Sequence, residues 1–308
     1  MGAKQPSLVK QIDAHYSGGL SAWEKRHQKL LARDKHGREA LHISASQLYD
    51  SYQKGHTGAL TILNKVIACK SARPCFQILC PACRDRKQQE TGDDATAEFA
   101  SYPRENIKLM TLLLCVEADA SKLKGLIAIF RKAFNQALRN NRAGLNAPAN
   151  KFKMIGAFEI DMKNLATQWD AGKASRQLVK DLGYNSKIKL SQYLLHLHAI
   201  VGDLDDDRKS KLKRVIEKAI GKPLLPRQVH FKTLHASTAT LTQDDNLRNL
   251  ASYIYKVRLQ FSDNIFDNDL MEKRSKYHAP YTGNDLISYL NAVNGMKNFS
   301  GLRFGFGI

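Results

Sequence analysis

From Lys108 onward the chain groups its apolar residues into regular runs, which its first hundred residues do not do. Lys108–Leu114 (KLMTLLL) is an apolar run of the buried-strand type. Ser121–Arg142 repeats Leu123, Leu126, Ile127, Phe130, Phe134 and Leu138 at helical spacing, which predicts an amphipathic helix ended by Asn140–Gly144. Met154–Asp161 and Leu190–Val201 read as strands. Asp205–Asp207 open a basic helix that runs to Ile220, where Gly221 stops it; acids in the first turn suit the helix dipole. Val229–Leu234 reads as a further strand and Asn246–Gln260 as a helix. Residues 1–66 read as polar helices, residues 91–106 as an acidic linker, and the tail through Gly301–Gly307 as loop or edge strand. Strands interrupted by helices, without a glycine-rich phosphate loop, predict an α+β fold rather than a nucleotide-binding α/β fold.

Charge adds a partner to this picture. The 308 residues carry 48 Lys+Arg against 29 Asp+Glu, a net +19. Residues 107–262 hold 27 basic and 13 acidic groups, whereas residues 263–308 are neutral. Such an excess calls for an acidic partner, nucleic acid or an anionic membrane surface. No apolar run approaches the roughly 18 residues of a membrane span. The N-terminal MGAKQPSLVK lacks the apolar core of a secretory signal, and Pro6 spoils a myristoylation match. The expectation is a cytoplasmic protein with no membrane partner.

Four of the five cysteines crowd into one stretch: Cys69, Cys75, Cys80 and Cys83. The core, Cys80-Pro81-Ala82-Cys83, sets two thiolates three positions apart, and two more complete a tetrahedral site. In a reducing compartment this spacing predicts a metal module over 67–90, with Zn2+ the natural occupant and an iron–sulfur cluster the alternative. Arg84 and Arg86 follow at once and place positive charge where the module could meet phosphate. Cys115, inside an apolar run, reads as a core residue.

Leu195-His196-Leu197-His198-Ala199 alternates, so in a strand both imidazoles share one face and could grip one divalent metal. Taken alone, an ordinary pair of half-exposed histidines explains this stretch equally well. Phe158-Glu159-Ile160-Asp161 also alternates, so the two carboxylates share a face. If that strand neighbours the histidine strand, Glu159, preferred over Asp161, completes a His-His-acid site. In the helix that follows, Leu247, Leu250, Ile254 and Val257 form the buried stripe, with Tyr253 at its edge and Lys256 beyond it. A phenol beside an ammonium group can serve as a nucleophile, although this stretch alone reads more simply as packing. Lys209, Lys211, Lys213 and Arg214 on the basic helix could hold phosphates without reading bases.

The order of these features resembles the HUH-type rolling-circle replication initiators of small bacterial plasmids, in particular those with a cysteine cluster before their first strand motif. The resemblance rests on Cys75–Cys83, Leu109–Leu114, Glu159, His196 with His198, and Tyr253 with Lys256, and covers about residues 69–260. It implies an endonuclease domain over 107–262 built on a central antiparallel sheet with flanking helices, and leaves the helical region over 1–66 and the C-terminal extension over 263–308 unmatched. It also implies a metal-dependent nicking and joining of single-stranded origin DNA through a 5′-phosphotyrosine on Tyr253. Glu159, His196 and His198 would hold Mg2+ or Mn2+, Lys256 would neutralise developing charge, and a host helicase and polymerase would be further partners. Where such proteins often carry a glutamate one turn before the tyrosine, this chain has Asn249; Tyr255, two positions on, falls on another helix face, which leaves a single-tyrosine enzyme. A transposase of the same chemistry and a non-enzymatic zinc-containing DNA-binding regulator are the alternative readings.

Overall fold

The computed structural model describes residues 61, 62, 65, 69, 73–78, 80–145, 152–163, 173–188, 190–234, 242–255, 260–262, 278–281, 283–296 and 298–306. The helices expected within 1–66 fall outside these residues, apart from Thr61, Ile62 and Lys65, which are helical. In chain order the elements are α1 (Pro81–Phe99), β1 (Lys108–Glu117), α2 (Leu123–Leu145), β2 (Met154–Lys163), α3 (Lys173–Asp181), β3 (Gln192–Val201), α4 (Asp206–Ile220) and β4 (Val229–Thr233). They continue with α5 (Gln243–Ile254), β5 (Gln260–Ser262), β6 (His278–Pro280), α6 (Gly283–Gly295), α7 (Asn298–Leu302) and β7 (Arg303–Phe306). Among the described residues no helix is long and apolar enough to cross a membrane.

The protein is α+β. Five strands form one sheet in the order β4-β1-β3-β2-β7, with every neighbouring pair antiparallel. The succession β1-α2-β2-β3-α4-β4 in that order is the split βαβ arrangement. Right-handed crossovers place α2 and α4 on the same side of such a sheet. Phe130 and Phe134 of α2 stack on Phe158 and Phe304, with ring centroids 5.3 to 6.4 Å apart, and Leu212, Val215 and Ile216 of α4 join the same core. The predicted apolar stripe of α2 is the buried one: Leu123, Ile127, Phe130, Phe134 and Leu138 are all buried.

Local signals fix the ends of α4. The Asp205 carboxylate accepts from the Arg208 N–H, and Gly221 closes the helix in the left-handed conformation, at φ 77°. The tail strand β7 pairs with β2 only from Met154 to Ala157. Beyond that point the Tyr281 hydroxyl accepts the Met162 N–H.

Two expectations fail. The stretch 91–106 is not a linker: α1 continues through it to Phe99, and a 3₁₀ turn follows at Arg104–Asn106. Thr91, Ala95 and Phe99, four apart, are buried, and α1 packs along α5. Arg248 of α5 pairs with Asp93 there, and Gln243 donates to the carbonyls of Phe99 and Tyr102. Tertiary packing on one narrow stripe outweighs the polar composition. The helix expected to reach Gln260 stops at Ile254, and Gln260 begins β5, which pairs with β6. The tail, expected as loop or edge strand within a C-terminal extension, supplies Arg303–Phe306 as the edge strand β7 of the central sheet.

Candidate metal centres

β2 lies beside β3, and their register sets Glu159 opposite His196 and Ala157 opposite His198. Period-two alternation then gives one face the row Glu159, Asp161, Lys163, His196 and His198. The other face receives Phe158, Ile160, Leu195 and Leu197, under α2 and α4. Unlike a half-solvated sheet, both strands are buried along their whole length. Leu113 and Leu194 share the histidine face, and with Leu178, Val179 and Leu182 around α3 they form a small cluster separate from the main core. The polar row lies between the two.

Glu159, His196 and His198 offer ligand atoms that all lie within 4.8 Å of one another. His198 Nε2 is 2.9 Å from Glu159 Oε2, and His198 Nδ1 is 3.0 Å from the hydroxyl of Thr111 on β1. Glu159 Oε1 and both nitrogens of His196 are buried without a hydrogen-bond partner among the described residues. Orphaned buried lone pairs are costly unless something binds them. Burial pushes His196 down to about 4, against the opposing pull of Glu159 and Asp161, so its ring is neutral and able to ligate. These groups fit a divalent cation. Gly156 makes the approach of the strands possible: a Cβ there would stand 2.3 Å from the His198 carbonyl oxygen.

The second centre is the cysteine cluster. Cys69, Cys75, Cys80 and Cys83 converge, with Sγ–Sγ distances of 3.6 Å for Cys69–Cys83, Cys75–Cys83 and Cys69–Cys80. These are far longer than a disulfide bond, and all four thiols are free. Neighbouring thiols, Cys75 first, hold the Cys69 thiol well below its ordinary pKa, while Cys69 pushes Cys80 up. Cys80 is the N-cap of α1 and Cys83 sits in its first turn, after Pro81. Cys115 packs against the main core beside a register shift in β1.

A void of about 10 Å³, space for about one water, lies beside Glu159. Ile78 of the cysteine loop lines it, together with Glu159 of β2, Ile254 and Tyr255 of the α5 end, and Tyr289 of α6. Tyr253 therefore belongs to a helix whose last turn abuts Glu159. The Tyr253 side chain and the whole of Lys256 lie outside the described residues. Tyr255 is buried against Phe299, and burial raises its phenol to about 12, which suits packing.

The basic residues divide. Arg86 pairs with Glu90 at 3.1 Å, and Arg84 is half-buried on the same helix. Lys209 and Lys211 pair with Asp206 and Asp207. Lys213 and Arg214 are exposed. All four α4 residues ride on the helix packed against α2, across the sheet from the histidines, so they do not form the floor of that site.

Three residues near the first centre escape sequence reasoning: Thr111, Lys163 and Tyr289. Thr111 carried a signal, as the one hydroxyl in an apolar run. Lys163 continues the Glu159–Asp161 alternation by one step. Comparison with protein-family models, with curated proteins and with solved structures finds no match to this chain.

Proposed function

We propose that the chain is a metal-dependent endonuclease that nicks and joins single-stranded DNA, acting as a rolling-circle replication initiator of the HUH type. The observation that carries this reading is the convergence of Glu159, His196 and His198 on one buried sheet face, beside the end of the helix that bears Tyr253. Two imidazoles and one carboxylate suit a first-row divalent ion such as Mn2+ better than Mg2+, which prefers oxygen. When bound, that ion would polarise the scissile phosphate. Thr111 supports the same role: its hydroxyl meets His198 Nδ1 and so orients the ring with Nε2 toward Glu159.

The nucleophile in this reading is Tyr253. Its phenolic oxygen bonds to phosphorus as the bond from phosphorus to the 3′ oxygen breaks. The phenol's proton passes to the departing oxygen, which leaves a 5′-phosphotyrosine and a free 3′-hydroxyl. Joining is the reverse, with an incoming 3′-hydroxyl expelling the tyrosine. Lys256 neutralises charge that develops on the phosphate.

The cysteine centre reads as a structural Zn2+ site. Four Zn–S bonds of about 2.3 Å require sulfurs about 3.8 Å apart, and the observed 3.6 Å is close to that. Its position at the start of α1, the helix packed along α5, suits a strut that steadies the Tyr253 helix.

The test is an origin oligonucleotide incubated with the protein and Mn2+, followed by a search for an SDS-stable protein–DNA adduct. Wild type is expected to form it and Tyr253→Phe to lose it. Adduct formation by Tyr253→Phe would overturn the nucleophile. Tight, salt-sensitive DNA binding with no adduct under any divalent ion would favour a non-enzymatic DNA-binding protein.

A further inference from the structure

The polar row on the histidine face does not end with the proposed ligands. Asp161 and Lys163 follow Glu159 on the same face of β2, and each side chain is only 3 % exposed. Lys163 Nζ lies 3.2 Å from Asp161 Oδ2. The same Asp161 oxygen is 3.9 Å from His196 Nε2, one of the nitrogens offered to the cation. Yet Asp161 is not among the three groups whose ligand atoms converge within 4.8 Å. A second carboxylate therefore stands at the border of the centre, with the Lys163 ammonium on the same oxygen that lies nearest His196.

Burying an ion pair is costly, and such pairs are weak evidence for stability. Their value here lies in the charge they leave to the centre. A divalent ion with two neutral imidazoles and one carboxylate keeps one net positive charge, which an anionic phosphate can use. With a second carboxylate as ligand it keeps none, and it binds more tightly while polarising less.

We propose that Lys163 is a positioning residue which holds Asp161 out of the coordination sphere of the Glu159–His196–His198 centre, and so sets its ligands at two histidines and one carboxylate. This rests on the metal-centre reading above. It goes beyond that reading by giving Asp161 and Lys163 a role: they fix the charge of the centre without touching substrate.

The experiment titrates Mn2+ into the full chain, with Zn2+ kept on the cysteines, and follows affinity by calorimetry and coordination by electron paramagnetic resonance. Lys163→Met removes the ammonium contact from Asp161 Oδ2. Mn2+ affinity is expected to rise on the order of tenfold, with a changed Mn2+ spectrum, while adduct formation falls. The double variant Asp161→Asn with Lys163→Met replaces the buried pair by neutral groups of similar size. It is expected to return Mn2+ affinity and spectrum to within about threefold of wild type, and it keeps the question decidable if Lys163→Met alone folds poorly. A Lys163→Met protein that folds and binds Mn2+ as wild type does would overturn the proposal. So would a double variant that binds Mn2+ tenfold more weakly, because Asp161 would then itself be a ligand. A wild type that binds no Mn2+ would instead sink the metal-centre reading on which the proposal stands.

Discussion

The Glu159 carboxylate faces His196 in the strand register but meets His198, with Oε2 2.9 Å from Nε2. One side chain thereby spans both histidines diagonally across two neighbouring strands, the reach that cross-strand neighbours allow. The proposed ligand set thus depends on the register of β2 against β3.

Glu159→Gln keeps the shape and removes the charge. Mn2+ affinity is expected to fall by at least about 10-fold, as is that of His198→Ala, because each change strikes a proposed direct ligand where loss of an outer-shell partner alone costs about 10- to 100-fold. Calorimetry checks both, and unchanged affinity in either would remove that residue from the centre.

Acidification should weaken the metal-free protein through His196. Its pKa is about 4 in the folded chain against an ordinary 6.5. Between those values the folded state binds fewer protons than the unfolded one, so this contribution to stability is complete above pH 6.5 and is lost as pH falls toward 4. Its size is about 3 kcal/mol. Urea unfolding of wild type and His196→Gln across this range should show a shallower slope in the variant. Equal slopes would contradict the neutral, buried ring.

Gly156→Ala drives a methyl group into the His198 carbonyl and the Ala199 backbone. Backbone cannot turn aside as a flexible side chain can, so a loss of about 3 kcal/mol is expected, together with weaker Mn2+ binding as β3 shifts. Denaturant unfolding measures the first effect. Wild-type stability would mean that the strands do not approach so closely.

If the cysteine cluster holds the proposed Zn2+, loss of that ion should be felt at α5. Cys80→Ser is expected to release the metal, measurable by elemental analysis, and to unravel the start of α1. Ile78→Ala should keep the metal but cost about 2 to 4 kcal/mol, since Ile78 is buried against the void it shares with Ile254 and Glu159. Thermal melts separate the two. A metal-free Cys80→Ser protein with wild-type stability would deny the cluster a structural role.

On α4, Lys213 and Arg214 are exposed, whereas Lys209 and Lys211 are partly neutralised by Asp206 and Asp207. If α4 meets DNA, replacing Lys213 and Arg214 together by alanine should lower the salt dependence of single-strand binding by a slope of about 1.4, from two phosphates at about 0.7 each. The Lys209 and Lys211 pair should matter less. Mn2+ binding should stay unchanged in both, because α4 lies across the sheet from the histidines.

What the chain determines by itself is local. Alternation placed His196 with His198, and Glu159 with Asp161, on common strand faces. Helical spacing picked out the stripe of α2, Asp205 and Gly221 marked the ends of α4, and cysteine spacing announced a cluster. These follow from periods of 2.0 and 3.6 residues and from backbone preferences, which any short segment carries. Tertiary structure decided that β2 lies beside β3 and that Glu159 meets His198. It also extended α1 through a polar stretch to Phe99 by packing it along α5, and brought Ile78 to the void beside Glu159. Each of these is a pairing between distant segments, set by strand order, register and the shape of the packed core. The proposed centre shows the same division: alternation aligns Glu159, Asp161 and Lys163 on one strand and His196 with His198 on another, and only the pairing of β2 with β3 sets the two rows together.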